Sequence, residues 1–104
     1  MSTVYYIKRN DTLPALDAQL TDANGVIDLT WTTVRLIARS GVREIIKPCE
    51  ITVAAQGRVT VRFDPSDTTH TGHYHAEFEI TILGSEKLTV HNDGYFSIII
   101  TEDL

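Results

Sequence analysis

From Tyr74 to Ile82 the chain reads Tyr-His-Ala-Glu-Phe-Glu-Ile-Thr-Ile, with an apolar side chain at every even position and a polar one at every odd position. A helix would scatter that pattern around its circumference. A strand, with its two-residue period, gathers it into one buried face and one wet face. Arg58 to Phe63 follows the same rule, with Val59, Val61 and Phe63 inward. Trp31 to Ala38 gives a third strand whose inner set is Val34, Leu36 and Ala38. Ile51 and Val53, then Leu88 and Val90, then Phe96, Ile98 and Ile100 mark three more. Near the start, Val4 to Arg9 and Ala15 to Leu20 read as extended pieces broken at Asn10-Asp11-Thr12-Leu13-Pro14.

Composition agrees with the pattern. Threonine, isoleucine and valine supply 33 of the 104 residues, and β-branched side chains favour the pleated surface of a sheet. Turn signals fall where strands must end: Asn24-Gly25, Ser40-Gly41, Gln56-Gly57, Asp64-Pro65, Gly84-Ser85 and Asn92-Asp93-Gly94. No stretch between them carries an amphipathic helix of ten residues. The reading is an all-β chain, a single antiparallel β-sandwich domain over residues 1–104 with about seven to eight strands. One cysteine, Cys49, leaves no internal disulfide and fits folding in a reducing cytoplasm.

Fourteen acidic against nine basic residues give a net charge of −5. A nucleic-acid surface is usually basic, and five of the six arginines (Arg35, Arg39, Arg43, Arg58 and Arg62) are spread out, so no nucleic-acid partner is expected. No apolar run approaches the length of a membrane span, and the N-terminus lacks the basic start and apolar stretch of a secretory signal. No membrane partner is expected either.

Gly72-His73-Tyr74-His75-Ala76, with Asp67 upstream, resembles the tyrosine corner of immunoglobulin-like domains, in which a tyrosine hydroxyl bonds back to nearby backbone. Ala76 stands where those domains carry the second cysteine, and Trp31 opens a strand instead of filling the core. The resemblance therefore implies an Ig-like sandwich without a disulfide, with Tyr74, Gly72 and Ala76 as its structural residues.

Three further segments, in order along nearly the whole chain, resemble the N-terminal domain of bacteriophage baseplate upper proteins. They are Ile7-Lys8-Arg9-Asn10-Asp11-Thr12-Leu13-Pro14, Gly72-x-Tyr74-x-Ala76-Glu77-Phe78-Glu79 and Asn92-Asp93-Gly94-Tyr95. This resemblance implies a non-enzymatic virion protein of the tail or baseplate, assembled in the host cytoplasm. It would act by docking to other tail or baseplate proteins or to copies of itself, with no cofactor. In that family the domain commonly heads a longer protein. A chain ending at Leu104 is expected to act as a small adaptor subunit or to be a fragment.

Chemistry-bearing residues give two alternatives. His73, His75 and Glu79 share the polar face of one strand and match the centre of a cupin-type metal motif, which could hold Zn²⁺, Mn²⁺ or Fe²⁺ in a small metalloprotein. Against it, the flanking glycines are missing (Asp67 and Glu86 stand there) and His91 is followed at once by a turn. Cupin ligands also point inward, whereas these histidines lie opposite the core face. The second alternative is a carbohydrate-binding adhesion module using Tyr5, Tyr6, Trp31 and Tyr95 as exposed aromatics. One of the adjacent pair Tyr5 and Tyr6 must point away from the core.

Other signatures are absent from the sequence: no Gly-x-Ser-x-Gly elbow, no glycine-rich phosphate loop, and no run of ligands around Asp64-Pro-Ser-Asp67 that could make a calcium loop. Cys49 follows Lys47-Pro48 without an evident catalytic partner.

Overall fold

The computed structural model describes residues 4–12, 15–22, 24–82, 87–90 and 96–102, the segment 87–90 as backbone. Among them are eleven strands: β1 (Val4–Lys8), β2 (Leu16–Gln19), β3 (Thr21–Asp22), β4 (Gly25–Val26), β5 (Thr32–Ser40), β6 (Arg43–Pro48), β7 (Glu50–Val53), β8 (Arg58–Val61), β9 (Gly72–Ile82), β10 (Lys87–Val90) and β11 (Phe96–Thr101). The larger sheet has the order β1-β11-β9-β5-β6, with β10 beside the upper half of β9. A second sheet has the order β2-β8-β7, and β3 and β4 form a small ribbon. Short 3-10 turns at Ala54–Gln56 and Pro65–Thr68 link strands at opposite ends.

The core lies between the two sheets and follows the alternation. Val34, Leu36 and Ala38 from β5, and Tyr74, Ala76, Phe78 and Ile80 from β9, are buried in one apolar cluster. Phe96, Ile98 and Ile100 from β11 join it, with Val59, Val61 and Phe63 facing them. Phe78 and Phe96 stack with ring centroids 5.2 Å apart. Ile82 departs from the pattern. It carries inward parity but sits at the last position of β9 and is exposed.

Three features correct the sequence reading. The pairing is not wholly antiparallel, because β1 runs parallel to β11, from Val4 opposite Ser97 to Lys8 opposite Thr101. No hairpin joins these strands, the first and last among the described residues, so no turn dictates their relative direction. Instead the chain crosses from β1 in one sheet to β2 in the other.

The second feature is the strand β6, whose adjacent isoleucines blur the two-residue period in the sequence. Ile45 faces the core while Ile46 points to solvent. It pairs with β5 through a two-residue turn, Gly41-Val42, between Ser40 and Arg43. Gly41 has φ +61°, the left-handed conformation that the first centre of a tight hairpin turn requires. The third correction is the ribbon β3–β4, two residues a side, too short for a periodic signal.

The turns at 84–85 and 92–94, together with Leu13, Pro14, Tyr95 and His91, lie outside the described residues.

Candidate functional site

Tyr74 is 2% exposed, and its hydroxyl donates to the backbone carbonyl of His70, 3.0 Å away and four residues upstream. The ring fills the core from β9 while the hydroxyl pins the segment that enters the strand. Gly72 opens β9 opposite Ile100, and Ala76 pairs with Ala38 and with Phe96 on its two sides.

The same corner is tied to the start of the chain. Buried Thr68 donates its hydroxyl to the Asp11 carbonyl at 2.9 Å, and the Asn10 amide donates to the Thr68 carbonyl at 3.1 Å. Lys47 reaches across from β6 to Asp64 and Asp67, each at 3.0 Å. Hydrogen bonds from this ammonium to Asp67 and Asp64 raise its pKa above the usual lysine value. Asp67 also accepts from the Asp64 amide at 2.7 Å. Ser66, Asp67 and His70 line one open depression of about 450 Å³, where Asp67 is engaged by Lys47 and by the Asp64 amide.

On the outer face of the large sheet, His73, His75, Glu77 and Glu79 follow one another along β9. The imidazoles of His73 and His75 have centroids 5.0 Å apart, and His73 Nε2 lies 2.7 Å from Ser97 Oγ on β11. Glu79 does not join them. A strand advances about 3.3 Å per residue, so Glu79 sits roughly 13 Å beyond His75 and roughly 20 Å beyond His73. It is paired with Arg35 at 2.8 Å. Sharing a face is thus not sharing a site, and the three-ligand reading of His73, His75 and Glu79 fails on distance. Among the described residues no three His, Cys, Asp or Glu side chains converge.

Of the two adjacent tyrosines, Tyr6 is exposed, while Tyr5 is half-buried against Phe63 with centroids 5.9 Å apart. Burial, then the nearby Asp17 charge, raise the Tyr5 pKa. Cys49 is half-buried, and desolvation pushes its thiol up to about 12, against a smaller opposing contribution from a backbone hydrogen bond with Leu36. A thiol so placed is protonated at neutral pH and is a poor nucleophile.

Trp31 is the outlier. It is 77% exposed and holds φ +63°, a left-handed backbone conformation. Its loop is set by Asp28, whose carboxylate accepts from the Thr30 amide at 2.9 Å and from the Thr30 hydroxyl at 2.6 Å. Those two bonds hold the Asp28 carboxyl below its ordinary pKa. Thr32, the next residue, pairs with Ile82, and the Leu29 amide donates to the Ala54 carbonyl at 2.9 Å. The Trp31 loop, the end of β9 and the Ala54–Gln56 turn therefore meet at one end of the sandwich. Of the exposed apolar residues, Ile82 ends β9, Val53 directly precedes the Ala54–Gln56 turn, and Val26, on β4, lies against Gly57 just after it. Sequence could suggest that Trp31 was exposed at a turn. It could not show the positive φ or the company of the other three.

Two packed sheets, with the Tyr74 ring in the core between them and its hydroxyl bonded back to the His70 carbonyl, define an all-β sandwich. The chain matches the model of the BppU N-terminal domain, the N-terminal domain of the baseplate upper protein, over residues 2–104, and it belongs to that family. The family has a structural role in the bacteriophage tail and baseplate. Among solved structures the chain is similar to the N-terminal domain of phage TP901-1 ORF48, at 11% sequence identity and a TM-score of 0.73. That alignment covers 97% of this chain and 89% of the other, and at this identity it speaks for the fold. No curated protein matches the chain.

Proposed function

We propose that this domain is a non-enzymatic adaptor of the phage virion, assembled in the host cytoplasm, that docks to other tail or baseplate proteins through the end of the sandwich carrying Trp31. The observation that carries this reading is the combination of exposure and strain at that residue. A left-handed conformation costs a residue with a Cβ about 1–2 kcal/mol. An indole this exposed recovers little of that by burial within its own domain. Large aromatics are also the commonest anchors of protein interfaces. Val26, Val53 and Ile82 extend the apolar surface around that anchor.

A glycan platform finds less support. Tyr6 stands on the outer face of the large sheet, Tyr5 packs on Phe63 and Tyr74 is in the core. None of these stands beside Trp31 to make a second stacking surface.

Trp31→Gly tests the proposal because stability and docking are expected to move in opposite directions. In the isolated protein, relief of the left-handed strain outweighs the added chain entropy, and stability rises by up to about 1 kcal/mol. In particles assembled with the variant, peptide mass spectrometry is expected to find far fewer copies relative to the major tail protein. A stable variant incorporated at the wild-type copy number would refute docking through Trp31.

A further inference from the structure

His73 and His75 remain unused by that reading, and they lie on a different surface. They project from the outer face of β9 near its Gly72 end, whereas Trp31 flanks the Ile82 end. A first-row cation bound by imidazole sits about 2.0–2.1 Å from the ligating nitrogen, which places a ring centroid about 3.2 Å from the metal. For ligand–metal–ligand angles between octahedral and tetrahedral, the two centroids then stand about 4.5 to 5.2 Å apart. The observed separation is 5.0 Å, with ring planes inclined by 33°. The strand thus brings the two rings within the separation that one ion would bridge.

The surroundings suit a cation. Ser97 Oγ, 2.7 Å from His73 Nε2, holds that ring by one nitrogen and leaves Nδ1 for a ligand bond, the arrangement by which outer hydrogen bonds orient metal-binding histidines. Arg39 lies opposite His75 on β5, and Glu44 engages its guanidinium at 2.6 Å. Glu77 also draws on the Arg39 charge and follows His75 along the same face. The positive charge beside the imidazoles is thus matched by two carboxylates.

We propose that His73 and His75 form a two-imidazole chelating site for a borderline divalent metal such as Zn²⁺ or Ni²⁺, its remaining positions open to solvent or to a donor from a neighbouring subunit. Imidazole is the preferred side-chain ligand of these ions, and Glu79 takes no part.

The test is calorimetric titration of the tag-free, chelator-treated chain with Ni²⁺ and Zn²⁺ in a neutral, non-chelating buffer. The comparison set is His73→Gln, His75→Gln, the double variant and His70→Gln. The site predicts that the parent binds at least one of the two ions about tenfold or more tightly than the double variant does, with each single variant falling to the double variant's level. His70→Gln should bind as the parent does. Circular dichroism separates loss of a ligand from loss of fold, since both side chains are on the outer face. A parent no better than the double variant with either ion, or single variants that keep the parent affinity, would overturn the proposal.

Discussion

Replacing Tyr74 by phenylalanine removes one oxygen from the core and changes little else. The ring remains buried against the same apolar neighbours, so neither a cavity nor a loss of apolar burial enters the calculation. What disappears is the hydrogen bond to the His70 carbonyl, and an intramolecular bond of this type is worth about 1 kcal/mol net. His70 is exposed, so water can satisfy the released carbonyl and the larger penalty for a buried orphan does not apply. Unfolding entropy near 2.1 cal/mol/K per residue gives roughly 0.2 kcal/mol/K for a 104-residue chain. Tyr74→Phe should therefore lower Tm by about 4–5 °C, read by differential scanning calorimetry, with the urea m-value unchanged. Tyr74→Ala, which empties the core position, should cost about 3–5 kcal/mol. A phenylalanine variant melting within about 1 °C of the parent would refute the reasoning. The corner would then be held by other bonds, the Thr68 hydroxyl to Asp11 first among them.

Three further outcomes are expected. Gly57 has φ +64°, and a Cβ there would lie 2.8 Å from the carbonyl oxygens of Ile27 and Leu20. Gly57→Ala should cost about 2–4 kcal/mol in chemical denaturation, and a loss below about 1 kcal/mol would show that the ribbon β3–β4 yields freely. The Cys49 thiol, with a pKa of about 12, should react with a maleimide or disulfide reagent at pH 8 about a thousandfold more slowly in the folded than in the unfolded protein. The raised value also fixes a sign. Between about pH 9 and about pH 12 the unfolded thiol has lost a proton that the folded one keeps, so this group's contribution to stability falls as pH rises, by at most about 1.4 kcal/mol per pH unit. Cys49→Ala should flatten that part of the alkaline profile, and an unchanged slope would show that the thiol does not titrate there.

Local periodicity carried most of the fold. The nine-residue alternation ending at Ile82 named Tyr74, Ala76, Phe78 and Ile80 as core residues because a long central strand is read directly by its two faces. It misassigned Ile82, because parity along a strand does not say where burial ends. The edge strand β6 escaped because Ile45 and Ile46 break the alternation, and an edge tolerates an outward isoleucine. The direction of β1 relative to β11 joins the two extremes of the chain, and no local signal reports such a pairing. At the outer face, sequence put His73, His75 and Glu79 on one side of the sheet. Only the rise per residue, applied to a continuous strand, separates a neighbouring pair from a carboxylate two further steps away.

The parallel pairing of β1 with β11 has a mechanical consequence. The chain enters β1 at Val4, beside Ser97, and leaves β11 at Thr101, beside Lys8. A load applied between those two points pulls the strands past each other along their common axis. Every backbone bond between them then shares the force, instead of opening one after another as in a peeled hairpin. The edge of the sheet is built as a shear joint, stiff along the line from one attachment to the other.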